Sequence, residues 1–156
     1  MKRHAALAVL LMIGPYTFAG HGLMNSFAGI NWLPPPGLVP SSPLYWIDDW
    51  IEQVQLWRAQ SPEERVTRCE HYAREKLAEL ETMIRTNDAA AVAAVTRYQV
   101  FLDRARGTLN DLDASKRSGP LLGFATDLLE HQYIVTTDYL DLPRDSRPAA
   151  LAAVDL

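Results

Sequence analysis

Cysteine is almost missing from this chain: Cys69 is the single one in 156 residues. No intramolecular disulfide can form, and there is neither a C-x-x-C metal or redox pair nor a C-x-x-C-H haem site. A basic excess is missing too. Fifteen Lys+Arg against 19 Asp+Glu give a net charge of -4, which leaves no cationic footprint to displace counterions from phosphates and excludes nucleic acid as a partner. The sequence also lacks any alternating apolar-polar run of strand length, so an all-α class remains. Cohesion must come from packing. The supply of apolar side chains suffices, since 48% hydrophobic with 22% charged residues is the balance of an ordinary globular domain.

What is present begins with a leader. Lys2 and Arg3 precede an apolar run from Ala5 to Ala19, the layout of an export signal. Cleavage after Ala19 or after Ala28 satisfies the small-x-Ala rule at Thr17-Phe18-Ala19 and Ser26-Phe27-Ala28, and no cysteine follows either site to accept a lipid. The rival reading is an uncleaved anchor, because the apolar character continues through Leu23, Met24, Phe27 and Ile30, with Trp32 placed for the outer interface. Gly14-Pro15 interrupts that run, and Gly20, His21, Gly22 and Asn25 weaken its second half. Residues 1–28 are therefore read as a signal peptide or signal anchor. Under the positive-inside rule the remainder is extracytoplasmic, either periplasmic or secreted, or held at the inner membrane with the C-terminal domain outside. Residues 29–42 form a Pro-rich linker: LPPPGLVPSSP, residues 33–43, holds five of the ten prolines and favours extended polyproline over helix or central strand.

From Ser42 the periodicity is helical, which predicts a bundle of four to five helices over residues 43–156. Ser42-Pro43 and Ser61-Pro62 each pair an N-cap serine with proline at the first helical position. Glu64 completes a capping box with Ser61. The second helix carries a stripe of Val66, Cys69, Ala73, Leu77, Leu80 and Ile84, and after Asn87-Asp88 the third carries Val92, Val95, Tyr98, Leu102, Ala105, Leu109 and Leu112, with Gly107 weakening its last turns. Gly119-Pro120 is read as the start of a fourth helix through Phe124, Leu128, Val135 and Tyr139 that Pro143 ends; residues 147–155 add a short fifth.

Ser42-Pro43-Leu44-Tyr45, the aromatic helix ending in Val54-Gln55-Leu56, then Ser61-Pro62-Glu63-Glu64-Arg65 and Tyr72-Ala73-Arg74-Glu75-Lys76-Leu77-Ala78-Glu79 resemble the bacterial domain of unknown function numbered 5667. The resemblance covers roughly residues 40 to 106 well. Leu128 to Ala153, with Arg147-Pro148-Ala149-Ala150-Leu151, is similar but less specific. It implies an extracytoplasmic helical domain behind a signal or anchor, and it brings no activity or catalytic residue. Members carry basic residues after the first aromatic turn, where this chain has Asp48-Asp49, so a basic first helix is not carried over.

No reaction is legible, and the chain is read as a non-enzyme without cofactor or metal. Cys69, Glu70 and His71 point about 100° apart on a helix and cannot converge on one ion unaided. His71 and Glu75 are one turn apart and read as an exposed pair. His131, with Asp127 and Glu130 nearby, reads as an interhelical hydrogen bond or an exposed side chain. His21 gains interest only in a retained anchor. Asp48-Asp49, and Asp111 with Asp113, read as solvated faces and turns. On the first helix, SPLYWIDDWIEQVQLW carries three of the four tryptophans. Trp50 and Trp57 are expected to pack inward with Ile47 and Val54, leaving Tyr45 and Trp46 as a partner surface. Adsorption to a membrane is disfavoured because Asp48, Asp49 and Glu52 would meet anionic headgroups. The reading that follows is an exported or membrane-tethered helical module that binds or scaffolds an envelope protein, with membrane contact through residues 5–30 if the leader is retained. A single-pass accessory subunit of a membrane complex is the alternative, and a metal-handling or enzymatic envelope protein ranks below it.

Overall fold

The computed structural model describes residues 33–86 and 88–154, so the readings made for residues 1–28, for His21, for Trp32 and for Asn87 lie outside the described residues. Five α-helices follow in order: α1 (Tyr45–Trp57), α2 (Pro62–Arg85), α3 (Ala91–Asp111), α4 (Ala114–Asp138) and, after a 3-10 turn at Arg144–Ser146, α5 (Arg147–Val154). There is no strand among the described residues, and the all-α expectation stands. None of the described helices is long and apolar enough to cross a membrane.

The start of α2 follows its sequence signal. The Ser61 hydroxyl accepts from the Glu64 amide at 3.1 Å, Pro62 stands at the first position, and the Glu64 carboxylate reaches back to accept from the Gln60 amide at 2.7 Å. The start of α1 does not. Ser42 takes the Leu44 amide at 3.3 Å instead, so the serine closes a local turn and the helix begins two residues after Pro43.

The α2–α3 hairpin forms the centre of the bundle, with α4 packed on α2 and α5 wedged against α3 and α4. Val66, Cys69, Ala73, Leu77 and Leu80 interlock with Val95, Tyr98, Leu102, Ala105 and Leu109, and Phe124, Leu128 and Val135 close the third side. The stripes expected from periodicity are thus largely the core, except that Val92 faces outward and Ile84 and Tyr139 are half-buried. Gly107 leaves α3 uninterrupted to Asp111.

The expected break at Gly119-Pro120 is a correction: α4 already starts at Ala114 and carries Pro120 inside it. Arg117 supplies the reason. Its guanidinium donates to the Asn110 and Leu112 carbonyls at 2.8 and 2.7 Å, satisfying the end of α3 and fixing residues 114–119 as a helical turn. Pro120 then costs one backbone bond inside a helix whose start is already anchored. Arg147 repeats the device at the start of α5, donating to the Leu140 and Leu142 carbonyls at 2.7 and 3.1 Å while it lies over the Tyr139 ring.

Candidate functional site

The site grows from α1, whose two faces are the reverse of those expected for a helix on a core. At 100° per residue, Trp46, Trp50 and Trp57 fall within about 40° of one another, and Ile47, Val54 and Ile51 continue the same side. The three indoles are 69%, 64% and 81% exposed. Trp50 and Trp57 therefore do not pack inward as the periodicity suggested. What α1 turns toward the bundle is Tyr45, Asp48, Asp49, Glu52 and Leu56, and of these Glu52 and Leu56 are buried.

The reason is Lys76. This α2 lysine is 0% exposed, and its ammonium needs anions wherever it is buried. Its Nζ stands 2.7 Å from Glu79 Oε1, 2.6 Å from Glu52 Oε1 and 3.5 Å from Asp48 Oδ2. The Tyr45 ring lies over the ammonium with its centroid at 5.0 Å, and the Tyr45 hydroxyl donates to Glu79 Oε2 at 3.4 Å. A Cβ added at Gly37 would sit 3.3 Å from Glu79 Oε1 and 3.5 Å from Asp48 Oδ2, so the linker closes the cluster at that point. Asp49 pairs with Arg97 of α3 at 2.7 Å, and Gln53 accepts from Arg104 at 2.9 Å. Asp48 and Asp49 are thus half-buried partners of basic residues, which corrects their reading as a solvated face.

One lysine serves three carboxylates, and the electrostatics record the imbalance. Glu52 and Glu79 are each pushed up to about 7, first by burial, with Lys76 opposing and Asp48 adding to the rise. The Glu52 oxygens lack an aligned hydrogen-bond donor although the ammonium is adjacent. Burial alone would lower Lys76, but the adjacent Glu52 and Glu79 carboxylates outweigh that and hold it above the usual lysine range. Tyr45 is raised to about 12 by burial and by Glu79. The cluster therefore keeps a charged lysine and takes up a proton near neutrality. It is a polar seat for α1.

The remaining candidate residues are separate from this seat. His131 is buried, and its Nδ1 lies 3.1 Å from the Tyr98 hydroxyl across α3 and α4, the interhelical bond foreseen as one option; burial, then Arg74, pushes it down to about 4. Arg74 also ties α2 to Asp127. Glu70, raised to about 7 by burial and then by Asp127, adjoins that pair. Cys69 is buried and raised to about 11 chiefly by burial, which leaves an inert thiol. His71, which is exposed, stands 3.6 Å from the half-buried Glu75. Asp111 and Asp113 are exposed. No group of three or more His, Cys, Asp or Glu among the described residues is placed to hold a metal ion.

Sequence reasoning missed Lys76 and Glu79 as buried residues and Glu52 as an inward one. The available signal was their spacing: 76 and 79 lie on the α2 stripe beside Ala73, Leu77 and Leu80, and a lysine there with a glutamate at i+3 implies an internal pair.

The family model of the domain of unknown function DUF5667 matches residues 37–133, more than half of the chain. No curated protein and no solved structure matches it.

Proposed function

The chain belongs to the DUF5667 family, and we propose that it is an exported or membrane-tethered helical module of the cell envelope that works by association and not by catalysis. The observation that carries this reading is the reversal of α1. A helix that exposes Trp46, Trp50, Ile51 and Trp57, with Ile47 and Val54 half-buried beside them, and whose inward arc is acidic, leaves apolar side chains for something outside the bundle. The seat at Lys76 holds that face in place before anything binds, so little ordering entropy remains to be lost on association. The partner surface expected at Tyr45 and Trp46 is accordingly redrawn: Tyr45 belongs to the seat, while Trp46 belongs to the outward row with Trp50 and Trp57.

The test is a triple substitution, Trp46→Gln, Trp50→Gln and Trp57→Gln, in the full chain expressed in an envelope-bearing host. The expected result is unchanged helix content by circular dichroism together with loss of the chain from crosslinked envelope assemblies. Undiminished crosslinking by the folded triple variant would refute association through α1.

A further inference from the structure

We infer that the outward face of α1 docks on a lipid surface, lying flat in the headgroup region with its tryptophan row facing the acyl chains. The inference rests on the association reading above and names its occupant. The objection read from the sequence was that Asp48, Asp49 and Glu52 would meet anionic headgroups, and the structure removes it. Glu52 is buried on Lys76, Asp48 stands 3.5 Å from the same ammonium, and Asp49 is paired with Arg97. No acidic side chain lies on the outward arc between Trp46 and Trp57.

Three properties of the face fit an interface better than a protein groove. Indole has an apolar body and one N–H, and it concentrates at the headgroup level of bilayers. Three indoles in one row, spread over ~16 Å of helix at 1.5 Å per residue, make a flat strip and not a knob for a pocket. The cation beside the strip is Arg58, exposed immediately after α1; it shares an open groove of about 400 Å³ with Trp50, Ile51 and Val54, where Arg68 is already paired with Glu64 at 2.7 Å. An indole next to a guanidinium in an open groove suits a lipid phosphate above and the first acyl methylenes below. Chain length agrees as well. The apolar run ends at Ile30, and the 14 residues between it and Tyr45 span at most roughly 45 Å even as polyproline at ~3.1 Å per residue, so a chain tethered by that run carries α1 within reach of the same bilayer.

The experiment uses the full chain reconstituted in vesicles of phosphatidylcholine with or without phosphatidylglycerol. Trp32→Phe is combined with phenylalanine at two of positions 46, 50 and 57, so that one indole of the row reports at a time, and phenylalanine at these exposed positions leaves the core untouched. If α1 lies on lipid, brominated acyl chains quench each of the three indoles at least about twofold, aqueous iodide loses most of its access to them, and phosphatidylglycerol strengthens both effects through Arg58. Indoles that iodide reaches and bromolipid does not would overturn the lipid assignment. The association reading is then judged separately by a photocrosslinker at position 50 in intact cells. Capture of a protein there, a second copy of this chain included, with no bromolipid quenching in vesicles, keeps association through α1 and rejects lipid. Free indoles in vesicles and no capture in cells reject both.

Discussion

Lys76 decides more of this structure than any other single residue. A buried ammonium is tolerated only with anions around it, and the nearest chain able to supply them is the acidic side of α1. Asp48 and Glu52 therefore turn inward, although Ile47 and Ile51 next to them are the better core formers. Lys76→Met should cost on the order of 3–5 kcal/mol in denaturant unfolding, because it leaves Glu52 and Glu79 buried without a cation. The same substitution combined with Glu52→Gln and Glu79→Gln should recover most of that loss, since the buried carboxylates go with the lysine. If the triple variant is as unstable as Lys76→Met alone, the carboxylates are not what makes the lysine necessary.

The elements show where periodicity succeeds and where it cannot. For α2 and α3 the stripes are unambiguous: one apolar face, a surrounding of charge, and the buried set Val66, Cys69, Ala73, Leu77, Val95, Tyr98, Leu102 and Leu109 falls on it. For α1 the rule that the apolar face is the inward face fails, because two amphipathic orientations exist and the choice depends on Lys76, 19 positions beyond the helix end at Trp57. No window along α1 contains that information. The early start of α4 was hidden for a similar reason: Gly119-Pro120 is a strong local break signal, while Arg117 acts on carbonyls five and seven residues upstream. The candidate site was thus half legible, with the tryptophan row visible in sequence and its direction not. Direction can be tested on α1 itself. Leu56→Ala, at a buried position, should destabilise the domain by about 2–5 kcal/mol, whereas Trp50→Gln should stay within about 0.5 kcal/mol of the parent, as surface substitutions do. A larger loss for Trp50→Gln than for Leu56→Ala by thermal denaturation would reverse the assignment of the two faces.

Across the whole molecule, the buried titratable groups set a pH dependence with a definite sign. Glu52, Glu79 and Glu70 are raised to about 7 and Asp138 to about 6, in every case first by burial. Each is held more weakly ionised in the folded chain than in the unfolded one. Its contribution is therefore fully present below the unfolded value near 4.5, or 3.8 for Asp138, and is lost as pH rises through about 7, or through about 6 for Asp138. His131 runs the other way. Pushed down to about 4, it contributes above its ordinary 6.5 and loses that contribution as pH falls toward 4. Between pH 8 and pH 6 the carboxylates outweigh the single histidine, so the melting temperature should be higher at pH 6 than at pH 8. For the two buried glutamates, Glu52 and Glu79, the gain is on the order of 1 kcal/mol each. Glu52→Gln keeps the side chain's shape and removes its proton uptake, so it should narrow the difference between the two pH values; a difference as wide as the parent's would mean that Glu52 stays ionised throughout that window. Both glutamates lie in the contact between α1 and α2, so rising pH loosens α1 from its seat before it reaches the α2–α3 core. Hydrogen exchange should then show α1 amides losing protection between pH 6 and pH 8, relative to their intrinsic rates, while α3 amides around Tyr98 and Leu102 keep theirs.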